Sequence, residues 1–325
     1  MHDGQLDLDV DVAAALIAEQ FPQWASLPVR AVESSGTVNT IVRIGNCLAA
    51  RFPLLGDDPD EVRRALESEA AAARRIAPSS PVPTPEPRGI GRPGLGYPLP
   101  WSVQTWLPGT VASSDSPGHS AVFARDLGGF LTALRAADTG GTTFAGQGRG
   151  GDLRTQDGWM ATCFARSGHL LDVPLLRALW ADLRALPRED PDVMTHGDLI
   201  PGNVLVDGDR LAGVLDVGGY GPADPALDLV AGWHLLDDGP RCALRSAVGS
   251  GDLEWERGKA WAFVQAMGAV WYYVESNRAM YAMGVRALQR ITRDTVGAGV
   301  AVSPPPTPAD PRAGSAGPGT WPPGC

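Results

Sequence analysis

The chain has 325 residues, 44% of them hydrophobic and 20% charged, enough for two domains or two lobes sharing a cleft. A formal net charge of −10 argues against a nucleic-acid partner, which would need a basic stripe, and would suit a cationic small molecule. Cys47, Cys163, Cys242 and Cys325 are scattered, so neither a disulfide framework nor a zinc site is indicated. The N-terminus is acidic and no apolar run approaches the ~20 residues that span a bilayer, so the expectation is a cytoplasmic protein with no membrane partner.

In chain order, residues 10–20 read as a short helix, and 29–52 as three short antiparallel strands with turns at "SSG" and "GN". The next segment predicts a helix over 59–77, with Asp58 as N-cap, Pro59 at N1 and Glu61 at N3 in a capping-box arrangement. Residues 78–98 are proline-rich and read as extended chain and turns, and "LPWSVQTWLPG" as a strand stopped by Pro108 and Gly109. Beyond about residue 120 the pattern is helical, interrupted at 193–216, and the Pro/Gly-rich end reads as a disordered tail. The expected class is α+β and bilobal. Residues 1–102 would form an N-terminal lobe of antiparallel sheet plus one helix, 103–109 a hinge, 110–298 a larger helical lobe, and 299–325 the tail.

"THGDLIPGNVLVDG" (195–208) opens the interrupting stretch. Apolar residues flank an Asp-Gly turn, a hairpin signal. With the turn at 207–210, Val206 would face Leu211 and Asn203 would face Val214, which puts Asp216 on the face that Asn203 shares. A carboxamide oxygen and a carboxylate converging at the open end suit Mg²⁺. Asp198, in the loop before the hairpin, could accept or orient a hydroxyl proton. His-x-Asp, an Asn five residues on and an Asp thirteen further is the phosphoryl-transfer order of the protein-kinase fold. Singly, each residue could merely close a turn; in order and feeding one hairpin, they point to chemistry. His196 is expected to hold the loop.

Such chemistry also uses a cation for the nucleotide phosphates, yet the only lysine, Lys259, lies far downstream. The Arg-, Gly- and Pro-rich composition makes codon usage the simple reason for so few lysines. On the strand "CLAARFPLL" the cation is Arg51. On the helix that follows, Val62, Leu66, Ala73 and Ile76 mark one face, Glu69 lies on it, and Glu67 falls far round. A carboxylate on a core-facing stripe needs a partner, so Arg51 is paired with Glu69, either as a phosphate clamp or as an interior salt bridge. "ESSGTVNT", with Gly36 and Thr37, would cover the phosphates, a weak signal because it holds one glycine. In the hinge, backbone groups near Thr105 and Leu107 could bond adenine, with Trp106 either walling the slot or simply packing.

These residues carry a resemblance to the aminoglycoside phosphotransferase family, the small-molecule branch of the protein-kinase-like fold. It rests on "PWSVQTWLPG", "HGDLIPGNVLVDGDRLAGVLDVGG" and "ADPALDL", and extends more weakly from about residue 30 to 295. The resemblance implies an O-phosphotransferase using Mg²⁺ and ATP or GTP. It puts Asp198 at the catalytic aspartate, Asn203 and Asp216 at the metal ligands, Glu69 at the helix glutamate and Arg51 where the nucleotide-binding lysine stands. "DVGG" departs from the commoner D-F-G, which changes packing and not the ligand. Only Tyr220 to Ala223 separate it from the helix that Asp224 is expected to cap, too little chain to cradle a peptide, so a small hydroxyl acceptor is expected. Asp228 would brace the catalytic loop. Asp237, Asp238 and Glu275 would suit an aminoglycoside, and Trp271, Tyr272 and Tyr273 a macrolide; alternatively these are solvated surface and helix core. A nucleotide-binding pseudokinase is the reading from another class, and retention of Asp198, Asn203 and Asp216 together argues against it.

Overall fold

The computed structural model describes residues 6, 8–32, 39–113, 116–146 and 148–296. Gly36, Thr37 and the tail expected from 299 lie outside these residues.

A first helix, α1 (Val10–Gln20), is capped by Asp9, whose carboxylate accepts from the Asp11 N–H. Three strands follow, β1 (Val29–Ala31), β2 (Asn39–Ile44) and β3 (Leu48–Pro53). Next comes α2 (Pro59–Ile76), where the Asp58 side chain accepts from Asp60 N–H at 2.8 Å, a tighter turn than the expected pairing with Glu61. The proline-rich stretch contains a strand that was not expected, β4 (Pro87–Gly91), ahead of β5 (Trp101–Thr105). The five strands form one antiparallel sheet in the order β1-β2-β3-β5-β4. A proline that cannot donate is tolerated in β4 because that strand is an edge. Trp101, fully buried, stacks on Phe52 at 4.7 Å, and its ring lies so close to Gly91 that a Cβ there would come within 2.1 Å.

The rest of the chain is mainly helical. After β6 (Thr110–Val111) come α3 (Ala121–Arg135), α4 (Asp157–Arg166) and α5 (Val173–Leu183). Four short strands, β7 (Val193–Thr195), β8 (Val204–Asp207), β9 (Arg210–Val214) and β10 (Gly221–Ala223), make up the interruption. They pair as β6-β8-β9 and β7-β10. Helices α6 (Ala231–Leu235), α7 (Asp238–Val248), α8 (Asp252–Tyr272) and α9 (Arg278–Val296) complete the fold. Helix α8 is buried without interruption from Arg257 to Val270, so its polar side chains there need partners inside the fold. The lone lysine sits there: Lys259 Nζ reaches Glu256 at 2.8 Å and Asp294 on α9 at 2.7 Å, tying the two helices together.

Candidate active site

The residues of the loop that follows β7 are organised from beneath by Asp228. Its carboxylate accepts the backbone N–H groups of His196 at 2.7 Å and Gly197 at 2.8 Å, the bracing expected of it, and burial pushes its carboxyl above the ordinary range. His196 is wholly buried; Nε2 donates to the Leu215 carbonyl at 2.9 Å and Nδ1 accepts the Asp198 N–H at 3.2 Å. Both ring nitrogens are spent on backbone, which makes His196 a strut between the loop and the hairpin's far arm.

The hairpin forms, but its register differs from expectation. Val206 faces Leu211, whereas Val214 faces Val204 rather than Asn203, because the pairing shifts by one residue at a bulge near Ala212. Asn203 accepts the Leu215 N–H at 2.7 Å instead. Asp216, next in the chain, takes a left-handed conformation (φ 53°, ψ 54°). The alternation argument for Asn203 and Asp216 therefore fails at the bulge, and the residue beyond Asn203's partner reaches the site by a turn of backbone.

Asp198 is the best-connected side chain of the loop. Oδ2 accepts from Asn203 Nδ2 at 3.0 Å, and the same nitrogen donates to the Asp198 carbonyl at 2.9 Å. Both acceptors are oxygens without protons to give, which fixes the amide's orientation and leaves Asn203 Oδ1 outside this pairing. Oδ1 accepts from Arg149 Nη2 at 2.8 Å and from Gln265 Nε2 at 3.0 Å. Neither partner was anticipated. Arg149 lies in a glycine-rich loop whose local pattern promises only a turn. Gln265 belongs to a legible spacing, since Arg257, Trp261 and Gln265 repeat every four residues along one stripe of α8.

The lower end of that stripe corrects the reading of Asp224. Asp224 does accept the Ala226 N–H at 3.0 Å, but the segment after it is a 3₁₀ turn, Leu227–Val230, and its carboxylate is the buried partner of Arg257. Arg257 Nε lies 3.0 Å and Trp261 Nε1 3.2 Å from Asp224 Oδ2.

On the sheet side, Arg51 Nη1 meets Glu69 Oε2 at 3.1 Å, as the helix face predicts, and Arg51 Nη2 stands 3.7 Å from Asp216 Oδ1. Burial lifts the Glu69 carboxyl above its ordinary value, and the Arg51 cation partly offsets this. Packing explains the first glycine of "DVGG", Gly218: a Cβ there would come within 2.7 Å of Glu69 Cγ. In the expected hinge, the Thr105 N–H donates to the Glu86 carbonyl at 2.9 Å and the Trp106 N–H to the Cys47 carbonyl at 2.8 Å. Arg43 covers the Trp106 ring at 4.8 Å, so Trp106 is at least partly a packing residue, and Leu107 is half-buried beside it.

A cleft of about 400 Å³ is bordered by Asp198, Asp216, Arg149 and Phe144. Asp237 and Asp238 do not border it; they hold Arg290 at 2.9 Å and Arg241 at 2.6 Å. Glu275 is exposed, Trp271 donates to Cys163 Sγ at 3.3 Å, and Tyr272 and Tyr273 gather with Met280, Tyr281 and Met283 against Ile200 of the catalytic loop.

Known structures share this architecture. The GDP complex of wild-type aminoglycoside 2'-phosphotransferase-IIIa is 16% identical over 88% of this chain and 99% of that one, with a TM-score of 0.65. The macrolide 2'-phosphotransferase MphH apoenzyme from Brachybacterium faecium is 21% identical, over 85% and 98%, with a TM-score of 0.57. The streptomycin–ATP ternary complex of APH(2'')-IIa is 16% identical, over 88% and 98%, also at 0.57. At these identities the likeness is one of fold, and it is the kinase-like fold expected. No curated protein matches the sequence. The sequence model of the phosphotransferase enzyme family matches residues 19–263, well over half of the sequence, and the chain belongs to that family.

Proposed function

We propose that this phosphotransferase moves the γ-phosphate of ATP or GTP to a hydroxyl of a small molecule, with Asp198 as the residue that takes the hydroxyl proton. The observation that carries this reading is the joining of Asp198 to Asn203 at 3.0 Å, beside a cleft that Asp216 also borders. A carboxylate held at the edge of an open cleft by donors on both oxygens is set for general-base or orienting work. As the acceptor oxygen bonds to the γ-phosphorus, its proton passes to Asp198, the bond to the β-phosphate bridging oxygen breaks, and the nucleoside diphosphate leaves with that electron pair.

Mg²⁺ fits the donor set, because Asn203 has its carbonyl oxygen outside the Asp198 pairing and Asp216 is a half-exposed carboxylate, both hard oxygen ligands. When bound there, the ion supplies neutralisation of phosphate charge. Arg51, steered by Glu69, clamps phosphate oxygens with a planar fork where a lysine would offer a point charge. Gly36 and Thr37 are assigned to the loop over the phosphates. The backbone around Thr105 and Leu107, with Trp106, is assigned to the base. Within this scheme the lobes are divided as at the sequence level, with 103–109 as the hinge.

For the acceptor, an aminoglycoside-type antibiotic is the first class to test, in keeping with the acidic chain and with similar structures solved with kanamycin or gentamicin bound. A macrolide-type acceptor is the second reading. It is favoured by the aromatic and methionine side chains gathered on Ile200, two residues from Asp198, and by the engagement of Asp237 and Asp238 in ion pairs. The test is an intact-mass assay with Mg²⁺ and ATP or GTP against a panel of aminoglycosides, macrolides and other hydroxylated amines. A phosphorylated product that disappears with Asp198→Asn supports the function and identifies the class. Nucleotide binding with an Asp198→Asn variant that turns over normally would sink it.

A further inference from the structure

Arg149 belongs to no motif that the sequence offers, yet its loop is built with care. Three of the loop's carbonyls are held: Gly148 by Gln156 Nε2 at 3.0 Å, Gly150 by Asp224 N–H at 2.9 Å and Gly151 by Arg257 Nη2 at 3.0 Å. Gly150 has a φ of +117°, and a Cβ there would come within 2.7 Å of Ala223 on β10. Only glycine lets the backbone press so close. The buried Arg257–Asp224 pair therefore clamps the Arg149 loop onto the segment that follows Asp216, and the result is an arginine side chain only 8% exposed that still borders the cleft.

That guanidinium donates to Asp198 Oδ1 at 2.8 Å and to the Gly197 carbonyl at 3.3 Å. Gln265 approaches the same oxygen from α8 at 3.0 Å, its amide turned by His234, whose Nε2 donates to Oε1 at 2.8 Å. Among the described residues, Oδ1 thus carries two donors, and Oδ2 carries Asn203 alone. A carboxylate oxygen offers about two acceptor sites, so the capacity left for an incoming hydroxyl lies on Oδ2.

Building on the role of Asp198 above, we propose that Arg149, with Gln265 beside it, is a positioning residue: it anchors Oδ1 so that Oδ2 receives the acceptor proton. The acceptor O–H proton moves to Oδ2 as the new O–P bond forms and the bridging O–P bond breaks; Arg149 keeps its proton and its charge throughout. A carboxylate free to rotate about its Cβ–Cγ bond would spend part of its time with the wrong oxygen forward, and misplacement of a reacting group is costly in rate.

The experiment compares wild type, Arg149→Ala, Arg149→Lys and Asp198→Asn in phosphate release from Mg·ATP and Mg·GTP, with water as acceptor. Arg149→Ala should lose about 100-fold in kcat, with the nucleotide KM within about twofold of wild type. Added guanidinium at non-denaturing concentration should recover part of the loss, and Arg149→Lys should retain an intermediate rate. An Arg149→Ala enzyme with wild-type kcat, while Asp198→Asn is inactive, overturns the positioning role and leaves the function standing. Wild-type turnover by Asp198→Asn would instead show that the reading of Asp198 is at fault. If rates with water are too slow to compare, the crystal structure of Arg149→Ala decides: an Asp198 carboxylate turned away from Asn203 Nδ2 supports the proposal, and an unmoved one overturns it.

Discussion

Arg51 stands between two carboxylates, 3.1 Å from Glu69 on α2 and 3.7 Å from Asp216 beyond the β8–β9 hairpin. One guanidinium therefore senses both the helix and the candidate metal ligand. Removing it leaves Glu69 and Asp216 facing each other uncompensated, on ground that Gly218 keeps tight. Arg51→Ala should raise the KM for nucleotide at least about tenfold, the loss of one charge-assisted phosphate contact, and steady-state kinetics with ATP and GTP check it. An unchanged KM would place the phosphates elsewhere.

Asn203 serves Asp198 with its nitrogen, and the proposed metal with its oxygen. Asn203→Ala should therefore do two separable things. The Mg²⁺ concentration giving half-maximal rate should rise, and kcat at saturating Mg²⁺ should remain depressed, by about tenfold or more, because the Asp198 carboxylate loses its Oδ2 donor. A Mg²⁺ titration of rate distinguishes these effects; full recovery at high Mg²⁺ would mean that the amide nitrogen is dispensable.

The Arg257–Asp224 pair has side chains each 3% exposed. Breaking one partner strands the other as a buried charge, so Arg257→Met should destabilise by about 3–5 kcal/mol. Replacing both by apolar residues should recover part of that loss. Urea unfolding of the two single variants and the double variant measures it, and single variants as stable as wild type would mean that water reaches the site.

Much of this is legible in the sequence. The Arg51–Glu69 contact follows from one helical face carrying one acid, and the bracing by Asp228 is expected alongside the family resemblance. What escaped did so for physical reasons. The bulge at Ala212 adds a residue that hydrophobic alternation cannot register, since Val, Leu and Gly fit either face. β4 was hidden because prolines veto interior strands but not an edge. Arg149 was invisible because its importance arises from backbone held by Gln156, Asp224 and Arg257, partners up to 106 residues away in sequence.

His234 gives the structure a pH dependence with a definite sign. Its ring is wholly buried among Gln265, Arg149 and Arg290, and Nδ1 finds no partner among the described residues. Burial, with some repulsion from the two arginines, brings its pKa down from 6.5 to about 4. An unfolded chain would take up the proton near 6.5 and the folded one only near 4, so this contribution is complete above 6.5 and lost as pH falls toward 4. Over that window it amounts to about 3 kcal/mol at most. His234→Leu should flatten the difference, which urea unfolding at pH 7 and pH 4.5 would read; equal slopes in variant and wild type would show that the imidazole is not the proton acceptor.

Lys259, locked between Glu256 and Asp294 with 5% of its side chain exposed, is the sole side-chain amine of the molecule. Arginine holds the proposed phosphate position. Nucleotide affinity reagents that mark kinases by acylating an amine beside the phosphates would therefore find nothing to react with here. A survey relying on such labels would count this protein among the silent ones, however active it is, whereas guanidine-directed dicarbonyl reagents would meet Arg51 where they expect a kinase lysine to be.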